Sequence, residues 1–336
     1  MLTSELDYEL PDSLIAQRPA EPRDSSRLMV IDIGTGGISH HVFRELPGFL
    51  LPGDALVLNE TKVLPARLKA SRPGGGAVEI LFLKDLGSEH CEAWEVLARP
   101  SKRLNPGMKL SANGDEIEIV KSIGDGHWTV FTADARGMLE RSGRMPLPPY
   151  IQSTPEAEAR YQTVYARNAG SAAAPTAGFH FTEKVLKESE RAGAGLARVT
   201  LHVGTGTFAP VRTERLEEHR MHAEYYSVPE DAARTIESAE RVVAAGTTVA
   251  RTLESWAASG EREGESRLFV YPGYEWRAVD VLLTNFHLPR STLLAMVMSF
   301  AGRDLIREAY HTAIREKYRF YSFGDAMLLL NGGRSL

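Results

Sequence analysis

The sequence predicts an α/β protein with a β-rich segment set into it, and three observations carry that expectation. From Pro155 onward, short apolar strand patterns alternate with helical patterns across polar turns. Over residues 67–150 this alternation stops, and β-rich runs recur between glycine-rich turns, the signature of a small barrel or sandwich. Pro146-Leu147-Pro148-Pro149 then closes the interruption and reads as a boundary.

The first 66 residues begin with turn-rich chain, including Leu10-Pro11, Arg18-Pro19 and Glu21-Pro22. Strands follow at Leu28–Ile33 and Ile38–Phe43, joined by Gly34-Thr35-Gly36-Gly37. A strand rather than a helix comes after these glycines, so they read as a hairpin turn and not as a phosphate cradle. Asp54–Leu58 is a compact apolar strand ending in Asn59-Glu60-Thr61-Lys62. Four polar groups of different kinds at a strand end fit a site and an exposed capping network equally well.

Within residues 67–150 the strand runs are Arg67–Ser71, Ala77–Lys84, Trp94–Ala98, Ile117–Val120 and Trp128–Thr132. Turn signals separate them at Pro73-Gly74-Gly75-Gly76, Asn105-Pro106-Gly107, Ala112-Asn113-Gly114 and Gly124-Asp125-Gly126. Beyond, helices are expected over Glu156–Arg167, Glu183–Ala192 (capped by Thr182), Val228–Ala239, Val249–Ser259, Ser291–Ala301 and Asp304–Tyr318. Strands are expected at Val199–Val203, Arg241–Ala245, Phe269–Tyr271 and Val279–Leu283. In open α/β sheets ligands lie at the carboxyl ends of strands, so the turns at Gly204, Gly246 and Thr284 should converge on one site.

Composition bounds the chemistry. A chain of 336 residues, 43% hydrophobic and 25% charged, is that of a soluble globular protein with room for about two domains. A net charge of -5 attracts no polyanion in general, so a nucleic-acid partner needs local basic patches. The single cysteine, Cys91, excludes an internal disulfide and any multi-cysteine metal site and suits a reducing compartment. The acidic start MLTSELDYEL lacks the apolar core of a signal peptide, and the longest apolar run, Leu293–Met298, is too short for a bilayer. A cytoplasmic protein without membrane contact is expected.

Three histidine-bearing stretches fall within fifty residues: Ala174–Thr182 with His180, Arg198–Arg212 with His202, and His219–Glu224 with His222. Gly204-Thr205-Gly206-Thr207-Phe208-Ala209 formally fits a dinucleotide fingerprint, but Pro210 follows and no long helix opens there, so that reading fails. His222-Ala223-Glu224 fits the H-x-E of zinc deaminases, yet the required downstream cysteine pair is missing. An all-histidine set from His180, His202, His222 and His287 stays open. The remaining reading is acid–base and binding chemistry without a cofactor. Histidine titrates near neutrality, Glu224 could orient an imidazole or act as base, and Gly178, Gly204 and Gly206 would let backbone N–H groups approach an anion. Gly246-Thr247-Thr248 at a helix start is a candidate seat for a carboxylate or phosphate. His202, flanked by apolar residues, also fits a satisfied core group, while His219 and His311 sit in charged helical sequence and read as solvated.

Long stretches in matching order carry a resemblance. They are Tyr8–Pro11 with Leu14–Gln17, Arg23–Leu28, Pro52–Asp54 through Pro65–Arg67, Tyr161–Ala166 and Ala174–Thr182. Further on come Thr200–Phe208 with His222 and Glu224, Gly246–Ser255, Tyr271–Tyr274, Thr284–Leu294 and Tyr318–Met327. Through them the chain resembles the S-adenosylmethionine:tRNA ribosyltransferase-isomerases of queuosine biosynthesis. Phe179, Thr205 and Ala245 depart from the pattern, where Leu, Ala and Val are expected, and remove no polar group.

The resemblance implies that the ribosyl part of S-adenosylmethionine passes to 7-aminomethyl-7-deazaguanine at the wobble position of tRNA, giving epoxyqueuosine and releasing adenine and methionine. S-adenosylmethionine is then a consumed substrate, with no cofactor and no metal. It also implies a discontinuous α/β main domain, residues 1–66 and 151–336, with a β-barrel inserted over residues 67–150. A monomer is expected. Candidate catalytic residues are His180, His222, Glu224 and His287. Candidate substrate-binding residues are Thr176, Gly178, His202, Gly204, Thr205, Gly206, Thr207, Thr247, Thr248 and Asn285. Lys62, Arg67, Arg99, Lys102, Arg103, Arg315, Lys317 and Arg319 are candidate phosphate contacts, Lys62, Arg67, Lys102, Arg103 and Arg319 foremost. Two other classes remain: a small-molecule hydrolase or deaminase, with or without metal, and an RNA-binding protein without catalysis.

Overall fold

The computed structural model describes residues 1–87, 92–204 and 210–331; Cys91 and the glycine–threonine run Thr205, Gly206, Thr207 lie outside the described residues. After three short 3-10 turns the chain forms β1 (Arg27–Asp32), β2 (Ile38–Val42), β3 (Asp54–Asn59) and β4 (Thr61–Val63). Then come β5 (Arg67–Ser71), β6 (Ala77–Asp85), β7 (Glu92–Arg99), β8 (Lys109–Ala112), β9 (Asp115–Gly124) and β10 (His127–Thr132), followed by α1 (Ala135–Ser142). The remainder is α2 (Pro155–Arg160), β11 (Asn168–Ser171), α3 (Glu183–Arg191), β12 (Gly195–Leu201), β13 (Glu224–Ser227), α4 (Glu230–Glu237), β14 (Arg241–Ala245) and α5 (Thr247–Ser259). The chain ends with β15 (Glu263–Ser266), β16 (Val281–Asn285), α6 (Thr292–Ala301), α7 (Arg303–Arg315) and β17 (Ala326–Leu330).

A nine-stranded sheet runs β15-β13-β12-β3-β14-β16-β17-β1-β2. Its four middle strands, β12, β3, β14 and β16, are parallel. Every residue of β3 and β16 is buried, the near-continuous apolar run that helix layers on both faces demand. Side chains alternate between two cores. Ala55, Val57, Val199, Leu201, Ala244 and Leu282 pack with α4, α5, α6 and α7, whereas Leu56, Leu58, Val243, Ala245 and Leu283 pack with α3, Phe43 and Phe181. The chain places β12 on one side of β3 and then β14 on the other. That reversal is a topological switch point, and ligands of open α/β sheets bind in the crevice beyond it.

Strands β5 to β10 close into an antiparallel barrel in the order β10-β7-β6-β5-β8-β9. Between barrel and sandwich, the barrel is what forms. In β10 buried residues alternate with half-buried ones, and Phe82, Trp94, Ile117, Ile119 and Val130 fill a core of their own.

Two sequence expectations are corrected. The helix expected over 156–167 stops at Arg160, because Tyr161 leaves helical geometry to bury its ring against Phe179 and Phe323. Residues 168–171 then pair with β4 as β11. No strand forms over Phe269–Tyr271, since β15 already occupies the edge beside β13. Instead the following segment is held by the wholly buried Glu254, whose carboxylate accepts from Tyr274 Oη–H and the N–H groups of Arg277 and Ala278.

Candidate active site

Asn59 ends β3 at the switch point and is fully buried. Its Nδ2 donates to Leu201 O at 3.1 Å and Thr248 Oγ1 at 3.2 Å, while its Oδ1 accepts from the N–H groups of Leu201 and Thr61, each at 3.1 Å. One amide thus ties the ends of β3 and β12 to the start of α5 with its hydrogen-bonding capacity filled. Of the polar cluster after β3, this residue is the structural one.

Three adjoining pockets share walls and form one groove across the carboxyl ends of the parallel strands. Thr176, Thr247, Thr248, Thr284, Asn285 and His287 line its middle. Tyr150, Tyr321 and Ser322 bound one end, and Met221, Glu224, Arg251, Phe269, Thr292 and Met296 the other.

His287 reaches the groove as a buried side chain whose Nε2 lies 2.8 Å from Thr284 Oγ1. Burial drives its pKa down to about 3, so the imidazole is neutral at physiological pH. Its backbone is pinned from both sides: N–H donates to Tyr310 Oη at 2.9 Å, and the carbonyl accepts from Tyr8 Oη–H.

His180 does not line the groove. It stacks on Phe43, with ring centroids 4.9 Å apart, and its Nε2 lies 3.0 Å from Asn285 Nδ2 while Nδ1 lies 2.8 Å from Ser26 Oγ. Burial, then the cations Arg319 and Arg23, hold its pKa at about 3. With Nε2 accepting from the amide, Nδ1 carries the proton and donates to Ser26. Asn285 is thereby oriented so that its Oδ1 accepts from Thr176 Oγ1–H at 3.1 Å inside the groove.

Glu224 sits in a buried ion pair: Arg251 Nη1 donates to Oε2, and Gly204 N–H donates to Oε1 at 2.7 Å. The carboxylate fixes the backbone at Gly204. Burial pulls the Arg251 guanidinium below its ordinary range, and Glu224 opposes that shift. Arg251 also binds Ser266 O at 2.9 Å and His222 O at 3.2 Å. His222 itself is exposed, contributing its carbonyl.

His202 lies beside the groove's floor rather than in its lining. Its Nδ1 is 2.8 Å from Thr61 Oγ1, its ring stacks on Tyr225, and burial lowers its pKa. Gly170 makes room for that ring, since an added Cβ would stand 2.8 Å from His202 Nε2. Gly178 is likewise a packing glycine, its face occupied by the Tyr165 hydroxyl 2.2 Å from where a Cβ would be.

Of the basic residues, Lys62, Arg99, Lys102, Arg103, Arg315 and Lys317 are exposed. Arg67 is engaged by Glu79 and Leu147 O. Arg319 is committed to the buried Asp325, 3.0 Å from Nη2. A second, wider pocket lies between the barrel and the chain that leaves it over residues 142–158, lined by Arg67, Lys69, Arg144, Glu79 and Glu158 among others. Among the described residues no group of three or more His, Cys, Asp or Glu side chains could hold a metal ion.

A family profile described as "Queuosine biosynthesis protein" matches residues 3–329. The chain belongs to the queuosine biosynthesis protein family. Within that family it is 74% identical to an S-adenosylmethionine:tRNA ribosyltransferase-isomerase of Rubrobacter xylanophilus, covering 100% of both chains. It is 51% identical to the enzyme of the same name from Moorella thermoacetica, over 98% of this chain and 100% of the relative. A crystal structure of S-adenosylmethionine tRNA ribosyltransferase from Thermotoga maritima shares 38% identity and a TM-score of 0.57, covering 97% of this chain and 100% of that one. For this member of the queuosine family, sequence patterning alone overlooked Arg251 and Thr292 in the groove wall. The available signal for Arg251 was a lone charge within the otherwise uncharged run Val249–Leu253 of a predicted helix.

Proposed function

We propose that the chain transfers and isomerises the ribosyl moiety of S-adenosylmethionine to 7-aminomethyl-7-deazaguanine at the wobble position of tRNA, with release of adenine and methionine. The observation that carries this reading is the groove at the switch point, built from the stretches that match the family. S-adenosylmethionine is consumed as a substrate, and the chemistry calls for no metal or redox cofactor. Positive sulfur acidifies the neighbouring C–H, a base takes that proton, departing adenine is protonated, and the aminomethyl group attacks as a neutral amine.

The neutral imidazole of His287 is the side chain best placed to accept a proton. Its low basicity rises beside a carbanion, because an adjacent negative charge favours the imidazolium. His180 acts through Asn285, and Glu224 with Arg251 through Gly204. His222 stands at the exposed rim. Tyr150 and Tyr321 at the far end offer aromatic faces for a base. Residues 67–150 act as an inserted domain and residues 1–66 with 151–336 as the main one; the barrel's separate core supports this division. The tRNA phosphates meet exposed cations such as Lys62, Lys102 and Arg103. The enzyme works as a cytoplasmic monomer; no helix among the described residues is long and apolar enough to cross a membrane.

The test is incubation with S-adenosylmethionine and tRNA bearing the aminomethyl base. Equimolar adenine and methionine are expected, with a matching mass gain on the tRNA. Binding of the tRNA without adenine release would favour an RNA-binding protein instead.

A further inference from the structure

The end of the groove opposite Tyr150 has donors that no described residue uses. Two helices begin there, α5 of 13 residues and α6 of 10, with Thr247, Thr248 and Thr292 in their first turns lining the same cavity. Gly246 precedes α5 and offers no side-chain cap, and the Ser291 side chain caps α6 only at Leu294 N–H. The positive ends of two helix dipoles therefore meet at one point.

A second observation is independent of the helix ends. Thr292 is 3% exposed, and its hydroxyl has no hydrogen-bond partner among the described residues. Arg251 is 4% exposed and its Nε is likewise without a partner, although its Nη atoms are taken by Glu224, Ser266 and His222. Buried polar groups are almost always satisfied, so orphans beside a cavity mark where a ligand's acceptors belong. The Glu224–Arg251 pair cancels its own charge, which leaves the helix ends to set the sign of the local field. Met221, Phe269 and Met296 supply an apolar wall beside these donors.

Resting on the ribosyl-transfer reading, we infer that this corner seats the amino-acid head of S-adenosylmethionine, its carboxylate held by Thr292 Oγ–H and the first turns of α5 and α6. The ammonium then faces Glu224, the methylene chain lies on Met221 and Met296, and the nucleoside runs along the groove toward Tyr150 and Tyr321.

Calorimetric titration of the full chain with three probes tests this: S-adenosylmethionine, its decarboxylated analogue (which keeps sulfonium, ammonium and nucleoside), and adenosine. Wild-type protein should prefer S-adenosylmethionine over the decarboxylated analogue by about ten- to a hundredfold, the scale of hydrogen bonds to a charged group. Thr292→Val should shrink that ratio by about tenfold, Thr292→Ser should restore it, and adenosine affinity should stay constant throughout. The ratio is taken within one protein, so a partly unfolded variant lowers the active fraction without moving it. A wild-type ratio near one would overturn the assignment, as would a Thr292→Val variant that weakens all three probes alike. Adenine release from wild-type enzyme with the tRNA substrate is followed in parallel. Release with no carboxylate discrimination sinks only the subsite, whereas discrimination without release sinks the ribosyl-transfer reading and leaves the head-group seat standing.

Discussion

At the scale of single residues, the site separates groups that face the groove from groups that hold them. His287 faces it, so His287→Ala should lower kcat by about 10²- to 10⁴-fold with the fold intact, read by steady-state turnover and circular dichroism. An effect confined to the Michaelis constant would mean a binding role instead. Glu224 holds the backbone at Gly204. Glu224→Ala strands the buried Arg251 charge and should cost about 3–5 kcal/mol in urea unfolding, whereas the double change Glu224→Leu with Arg251→Met should cost much less. His180 and His287 also imply an acid limb of stability. Their folded pKa values of about 3 lie below the ordinary 6.5, so the unfolded chain binds protons first. Stability is complete above pH 6.5 and falls as pH drops toward 3, by up to about 1.4 kcal/mol per pH unit for each histidine. Unfolding midpoints between pH 7 and 4 should fall less steeply in His180→Asn, and an unchanged slope would show that other groups set it.

At the scale of elements, the parallel strands and two helix starts position the site, and the barrel offers a separate cationic surface. Lys102 and Arg103 stand exposed on the turn after β7, unlike Arg319, which is tied to Asp325. Affinity for tRNA should fall with salt, with a log–log slope of about -0.9 per phosphate contact on duplex or about -0.7 on single strands. Charge reversal of Lys102 and Arg103 together should flatten that slope while leaving the Michaelis constant for S-adenosylmethionine unchanged. An unaltered slope would remove this turn from the interface.

At the scale of the whole molecule, the chain forms one core inside the barrel and one on each face of the larger sheet, and the groove opens at the switch point of that sheet. The chemistry proposed there runs on protons and on a substrate that carries its own leaving groups. Turnover should accordingly survive exhaustive EDTA treatment once the tRNA is supplied folded. Loss of activity restored by one specific divalent ion, and not by others that fold tRNA equally well, would put a metal back into the mechanism.

Much of this protein is legible in its sequence, because helix and strand periods are local properties of the chain. Residues 241–245, a short apolar run, form the strand expected of them, and the glycine turns at residues 73–76, 112–114 and 124–126 mark hairpins of the barrel. Family membership was legible too, carried by long ordered stretches such as Ala174–Thr182 and Thr284–Leu294. What a side chain does in the site was not, since that depends on partners far away in sequence. His180 is a brace rather than a lining group because Ser26 and Asn285, 154 and 105 residues distant, take its two nitrogens. Asn59 looked as much a surface cap as a site residue until Thr248, 189 residues later, closed on its amide. Tyr161 broke a helix that its neighbours favoured, because burying a ring against Phe179 and Phe323 outweighs the few tenths of a kcal/mol that local propensity contributes per residue. Period and composition set the elements; long-range burial and hydrogen-bond satisfaction assigned their side chains to work.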